Sequence, residues 1–393
     1  MPKTEIAAVE TAVPMRALLA GAREKESALV ELIQKLVRVE SPSDDKDGVD
    51  ACGALVMDHA TALGGRVKVH RQRAFGDVIE VRFGPKKRSG GRVMLLGHID
   101  TVWPVGTLKT MPCRVADGRL WGPGTLDMKA GVAMALTAIE MLTEAGVLDR
   151  EVVLLLNSDE EVGSPVSRGI TEKLAQDCSA VYVLEPAQVL AYKTARKGTA
   201  NWRIEIKGVA AHAGVDFEKG ASALRELARV IETVSGWTDL KRGLTVSVGL
   251  AGGGSKTNVI PAEAWAEVDG RIARIADGAR IEKKFAALKA GDKRCSLTVT
   301  GGVNRPPMER TRGTVALYQQ ARALASELGF KLDEAATGGA SDGNFTSALG
   351  IPTLDGMGAV GEGAHAAHES IRVEHLAPRT ALLAGMIAGS DAG

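Results

Sequence analysis

Three short apolar runs end directly in residues able to bind metal or move protons. VMLL leads into Gly97-His98-Ile99-Asp100-Thr101, VVLLL into Asn157-Ser158-Asp159-Glu160-Glu161, and VYVL into Glu185-Pro186. In extended chain, residues two apart project to the same side, so His98 and Asp100 face one place. That pair suits a ligating imidazole whose other ring nitrogen is oriented by a carboxylate. Glu160 and Glu161 are neighbours on a turn and point differently, so one can bind metal while the other handles protons. Three consecutive acids alone would read as a solvated patch; the buried run ahead of them argues otherwise. Glu185, ending another buried run, would be costly to desolvate without a partner, and a metal supplies one.

Asp127 lies in GPGTLDMKAG (Gly122 to Gly131), just ahead of an apolar helical pattern. Alone it would cap that helix; its competing role is a carboxylate bridging two metals. Late in the chain, GAVGEGAHAAHESI (Gly358 to Ile371) offers His365 and His368 in a glycine-rich stretch, and spacing does not choose between them. Histidines and carboxylates without a thiolate favour zinc, with cobalt or manganese as substitutes. Cys52, Cys113, Cys178 and Cys295 are scattered, with no C-x-x-C pair, and read as reduced structural thiols.

Short buried strands must carry these residues. Expected strands cover 78–83, 93–96, 152–156 and 181–184, alternating with helical patterns at 27–38, 50–63 and 129–142, which argues for an α/β domain with a largely parallel sheet. Between 199 and 301 the pattern becomes β-α-β-β-α-β, the order of a ferredoxin-like module. Helical periodicity returns at 314–328 and 377–387. The simplest assembly takes residues 1–198 and 306–393 as one catalytic domain, interrupted by an inserted module at 199–305.

At 393 residues, with 49 basic and 48 acidic side chains and a net charge of +1, the chain has no global field that would favour nucleic acid or an anionic membrane. Glu5, Glu10, Arg16, Glu24 and Lys25 interrupt the N-terminal alanines, so neither a secretory leader nor a membrane span is expected. A cytoplasmic location follows as the expectation.

Together GHIDT, GPGTLDMKAG, NSDEEVGS, VLEP and the late glycine-rich histidine segment resemble the bacterial glutamate carboxypeptidases of the carboxypeptidase G type. These sit within the wider family of aminoacylase, acetylornithine deacetylase and succinyl-diaminopimelate desuccinylase. The likeness runs from about Glu26 to Ile387. It implies a zinc-peptidase catalytic domain, a mixed, largely parallel sheet flanked by helices, and an inserted ferredoxin-like βαββαβ dimerisation domain. By resemblance, His98, Asp127 and Glu185 hold one zinc, and Asp127 bridges to a second held by Glu161 and His365. Glu160 is then the general base, Asp100 the partner of His98, and His368 a bystander or rim residue. His365 is preferred because the family's late metal histidine directly follows the glycines, with an acid a few residues on, where Glu369 stands.

The resemblance also implies that His212, in GVAAHAG, reaches into a partner subunit's site to steady an oxyanion. Asn258, Arg271, Arg305, Gly339 and Ser341 match substrate contacts, although Ala340 stands where several relatives carry threonine. The expected enzyme is a homodimeric dinuclear zinc metallocarboxypeptidase. It would act on a small peptide or N-acyl amino acid and release a C-terminal glutamate or similar residue. The rivals are an N-acyl-amino-acid deacylase or dipeptidase with the same metals, and a non-catalytic binding relative.

Overall fold

The computed structural model describes residues 13–85 and 91–389. Glu5 and Glu10, two of the residues that argue against a leader, lie outside them. The chain folds as two compact units: Met1–Ala195 with Arg310–Ala336 and Ser341–Gly393, and Arg196–Glu309 with Thr337–Ala340.

The first unit begins with helices α1 (Met15–Glu24), α2 (Glu26–Val37) and α3 (Lys46–Ala62), then strands β1 (Arg66–His70), β2 (Val78–Phe83) and β3 (Val93–His98). A hairpin of β4 (Arg114–Ala116) and β5 (Arg119–Trp121) leads to α4 (Ala130–Glu144), β6 (Val152–Asn157), α5 (Arg168–Ala175), β7 (Ala180–Val183) and β8 (Ala191–Arg196). The second unit contains β9 (Gly198–Lys207), α6 (Ala223–Ser235), β10 (Thr245–Gly253), β11 (Glu263–Ile272), α7 (Ile275–Ala286) and β12 (Ser296–Arg305). The chain then returns through α8 (Arg312–Glu327), β13 (Asp333–Thr337), α9 (Gly343–Ala348), β14 (Thr353–Leu354), β15 (Gly361–Glu362), β16 (Ser370–Arg372) and α10 (Leu376–Ala388).

The main sheet has the order β1-β2-β6-β3-β7-β14. Its β6, β3, β7 and β14 run parallel, while β1 and β2 are antiparallel additions at one edge. The continuous apolar runs follow from burial on both faces. Along β6, Val152, Leu154 and Leu156 enter the larger core, while Val153 and Leu155 enter a second core with Ala175 and Cys178. On β3, Val93 and Leu95 part from Met94 and Leu96 in the same way. Fully burying each such side chain stabilises by about 1.5–3 kcal/mol. With both faces covered, the sheet's open edge for chemistry is the line of strand ends.

The inserted unit is a βαββαβ module with antiparallel order β10-β11-β9-β12. Here period-2 alternation is clean. Ala200, Trp202, Ile204 and Ile206 are buried, whereas Asn201, Glu205 and Lys207 face outward. Trp202 stacks on Phe285 of α7 with ring centroids 3.9 Å apart. The α6 helix starts where the Ser222 hydroxyl accepts the Arg225 N–H.

Candidate metal centre

Because β3, β6 and β7 are parallel neighbours, their carboxyl ends lie side by side, with His98 registered against Asn157. The site assembles just beyond that line, where open α/β sheets bind ligands. His98 Nε2 lies 3.3 Å from Asp127 Oδ1 and 3.7 Å from Glu185 Oε1. On the other side, His365 Nε2 lies 3.4 Å from Asp127 Oδ2 and 3.2 Å from Glu161 Oε2. Asp127 thus offers one carboxylate oxygen to each histidine. Within each of two overlapping sets, His98 with Asp127 and Glu161, and His98 with Glu160 and Glu185, the donor atoms lie within 4.8 Å of one another.

The surrounding backbone explains how these groups are held. Asp100 is fully buried; its carboxylate accepts the Ser43 hydroxyl at 2.6 Å and the N–H groups of Glu160 and Glu161 at 3.2 Å each. Asp100 Oδ1 also lies 3.3 Å from His98 Nδ1. The Asp100 backbone carbonyl, 2.9 Å from His98 Nδ1, and its carboxylate together orient the imidazole, and the carboxylate also fixes the turn bearing both glutamates. Asp127 sits in an irregular turn between Gly124 and α4, and its peptide bond to Met128 is cis. That turn is pinned by Glu369, fully buried, which accepts the N–H groups of Gly124, Leu126 and Asp127 at 2.8–3.1 Å and the Trp103 indole N–H at 2.7 Å. Lys129, buried directly after it, donates to the carbonyls of Leu36 and Val39. Glu185 is carried by a segment whose carbonyl accepts the Gly358 N–H at 2.9 Å. His365 adopts a left-handed φ of 62° after Gly363, where an added side chain would strike His368 and the Glu369 backbone.

Charge in the centre is lopsided. Burial opposes a charge on His98, but hydrogen bonds to Asp100 and Asp127 and the charges of Asp100 and Glu160 hold its pKa well above the ordinary value. His365 is pushed up to about 10, chiefly by hydrogen bonds to Asp127 and Glu161. Burial works against ionisation of Asp127, yet hydrogen bonds from His365 and His98 hold its carboxyl well below the usual carboxylate range. The acids draw positive charge to this point. Glu161 Oε1 is buried with no hydrogen-bond partner. An orphaned oxygen in a cluster of imidazole nitrogens and carboxylate oxygens fits divalent zinc-type cations, whose binding displaces the imidazole protons.

His368 is exposed. Ser341 is fully buried with its hydroxyl donated to Asp355 at 2.6 Å, so that side chain is committed within the fold. Gly339, in the second unit, is exposed and accepts Arg196 through its carbonyl. In the same unit His212 is exposed, and the Ala213 N–H donates to the Asn258 carbonyl, which joins those two loops. The Gly214 N–H donates to His212 Nδ1 at 3.1 Å. An accepting Nδ1 puts the proton of the neutral ring on Nε2. Arg271 and Arg305 both pair with Thr199, from opposite sides of β9, and so occupy one rung of the sheet. Arg271 also forms an ion pair with Asp269 at 3.0 Å. Ser43, Trp103 and Lys129 do not stand out in the sequence, because only the tertiary fold brings them to the site.

The family model for peptidase family M20/M25/M40 matches residues 94–389, which takes in every expected metal ligand. The chain belongs to that metallopeptidase family. It is 30% identical over 358 residues to carboxypeptidase G2 of Pseudomonas sp. (strain RS-16), covering 88% of this chain and 85% of that one. It is 28% identical to succinyl-diaminopimelate desuccinylase of Acidovorax ebreus (strain TPSY), covering 76% and 80%. Among solved structures, aminopeptidase PepT from Bacillus cereus ATCC 10987 superposes with a TM-score of 0.79 at 24% identity, over 92% of this chain and 98% of that one. The Bacillus subtilis YXEP protein, described as a dinuclear metal binding peptidase of the M20 family, superposes at 0.69 and 14% identity, over 93% and 98%. The protein is therefore a hydrolase of the M20 type. Among the described residues, no helix is long and apolar enough to cross a membrane.

Proposed function

We propose that the protein is a dinuclear zinc carboxypeptidase that hydrolyses an amide next to a free carboxylate and releases glutamate or a similar C-terminal amino acid. The observation that carries this reading is the division of the Asp127 carboxylate between His98 and His365. His98, Asp127 and Glu185 would hold one cation, and Asp127, Glu161 and His365 the other. When bound, such cations bring the pKa of a shared water towards neutrality and polarise the scissile carbonyl.

The chain's own groups do the rest. Glu160 takes the proton from the attacking water and returns it to the leaving nitrogen, which demands a carboxylate held in register with the reacting atoms. Asp100 provides that register through the Glu160 N–H. His212 of a partner subunit donates its Nε2 proton to the oxyanion as it develops, a role supported by the tautomer that Gly214 imposes. Arg271 and Arg305, on one rung, supply planar guanidinium donors for the substrate carboxylate, with Asn258 and the Gly339 backbone beside that task. The site thus needs a homodimer. Four free cysteines are compatible with a reducing, cytoplasmic setting.

A desuccinylase among the relatives favours a second reading, an N-acyl-amino-acid deacylase with the same metals. Metal analysis and a panel of N-acetyl amino acids, dipeptides and benzoyl or pteroyl conjugates of glutamate separate the two. The carboxypeptidase reading expects two metals per chain, glutamate release from the conjugates, and loss of that release in Glu160→Gln with both metals kept. A Glu160→Gln protein that still turns over defeats the mechanism. Inactive His212→Ala and Glu160→Gln proteins that stay inactive after mixing and re-dimerisation defeat the shared site.

A further inference from the structure

Each of the three strand ends that builds the centre is followed by a valine left open to solvent. After β3 comes Val102, 41% exposed; after β6, Val162, 53% exposed; after β7, Val189, 75% exposed. The strands are adjacent and parallel, so these loops emerge from one edge of the sheet. Val162 directly follows Glu161, and Val102 is two residues beyond Asp100. Val189 is four residues past Glu185, at most about 14 Å even for extended chain. Scattered exposed valines need no explanation, but three at consecutive strand ends around one site do.

Val189 is also held against its own preference. It occupies the first central position of the tight turn closed by reciprocal backbone hydrogen bonds between Gln188 and Ala191, with φ at 58°. Glycine and asparagine are at ease there, whereas a β-branched residue is strained. A strained, exposed side chain on the loop that follows Glu185 points to use.

We propose that Val102, Val162 and Val189 form an apolar rim that takes the uncharged, apolar acyl group of the substrate. The inference rests on the amide-hydrolysis reading above. The three valines offer no group that could pair with a carboxylate, whereas an apolar acyl group covers them without burying a charge.

The test compares kcat/KM for N-benzoylglutamate and N-acetylglutamate in the zinc-loaded protein and in Val162→Ser, Val189→Asn and their double variant. Light scattering and thermal unfolding are run alongside, with Leu55→Gln on α3 as the exposed apolar control. The rim predicts a benzoyl preference of at least about 10-fold in wild type, reduced about 3- to 10-fold by each variant and further by both. Leu55→Gln keeps the wild-type ratio. Val189→Asn should meanwhile raise Tm by about 1–2 °C as strain is relieved, a gain in stability together with a loss of selectivity that a purely structural residue does not produce. Turnover of both substrates with a ratio insensitive to both variants overturns the rim alone. So does a changed oligomeric state in the variants, which would assign the valines to a subunit contact. Failure of wild type to hydrolyse any member of the substrate panel overturns the rim together with the reading beneath it.

Discussion

Replacing Glu369 by glutamine tests how the Asp127 turn is held. The native carboxylate divides its four donors evenly: Oε1 accepts the N–H groups of Leu126 and Asp127, and Oε2 accepts the Gly124 N–H and the Trp103 indole. Glutamine has one acceptor oxygen, so whichever pair it keeps, its amide NH2 faces two other donors in a fully buried space. Each buried donor left without an acceptor costs about 1–3 kcal/mol, which totals about 2–6 kcal/mol. Part of that is returned, because burial already pushes the Glu369 pKa up against the pull of its four donors, and the neutral amide avoids that desolvation. The net expectation is a loss of about 2–4 kcal/mol. Hydrogen exchange followed by mass spectrometry reads the effect locally. Amides of Gly124, Leu126 and Asp127 should exchange about 30- to 1000-fold faster in the variant, the factor equivalent to that energy. Metal affinity should fall about 10- to 100-fold as Asp127 loses its fixed position. Exchange of the 122–131 peptide within about threefold of wild type, with unchanged metal affinity, would refute the account.

Removal of metal by a chelator should abolish hydrolysis and lower Tm, both restored by zinc, since ions bound only by the folded chain stabilise it by mass action; an unaltered Tm after verified metal loss contradicts the centre. Gly131→Ala should destabilise by about 1–3 kcal/mol despite its gain in helix propensity, because the new methyl group falls on the Leu184 carbonyl backbone, beside Glu185; urea unfolding measures it. In the inserted unit, the Arg242 hydrogen bond, working against burial and aided by the charges of Arg242, Arg280 and Arg274, holds the Asp277 carboxyl below the usual carboxylate range. That depressed pKa contributes stability above about pH 4, lost as pH falls through the folded-state value. Asp277→Asn should therefore lower the urea midpoint at pH 7 and converge with wild type in acid; a difference that persists unchanged at low pH refutes the link.

What is legible in the sequence is what local pattern encodes. Apolar runs of four or five residues locate β3, β6 and β7 because each is buried on both faces, and strict alternation locates β9 because only one face is. Some elements not anticipated have no room for a pattern, while β8, β13 and α5 are five to eight residues long and lack a clear one. Strands β4, β5 and β16 have three residues each and β15 two, and β1 is a half-buried edge, RVKVH, with basic side chains around its valines. The α1 helix has a clear apolar face but lies in the alanine-rich opening stretch, where the charged residues speak only to the question of a leader.

The candidate site divides along a different line. Residues that end strands announce themselves, because a charged group after a buried run is locally costly, and so His98, Glu161 and Glu185 stand out one at a time. Nothing local says that they meet. His98 and Asp127 are 29 residues apart, and Trp103 and Glu369 are 266 apart. Between His365 and His368 the physical choice is made by a left-handed backbone at His365, which carries its ring to Asp127 and Glu161, while His368 stays at the surface. A β-carbon-bearing residue adopts that conformation only where the surrounding structure over-determines it. Here the constraint comes from Glu369, four positions on, whose backbone N–H is bonded to the Ala366 carbonyl and whose carboxylate grips the Asp127 turn. The same buried acid thus ties both the Asp127 carboxylate and the late histidine segment to one point, so that disturbing either should loosen the other.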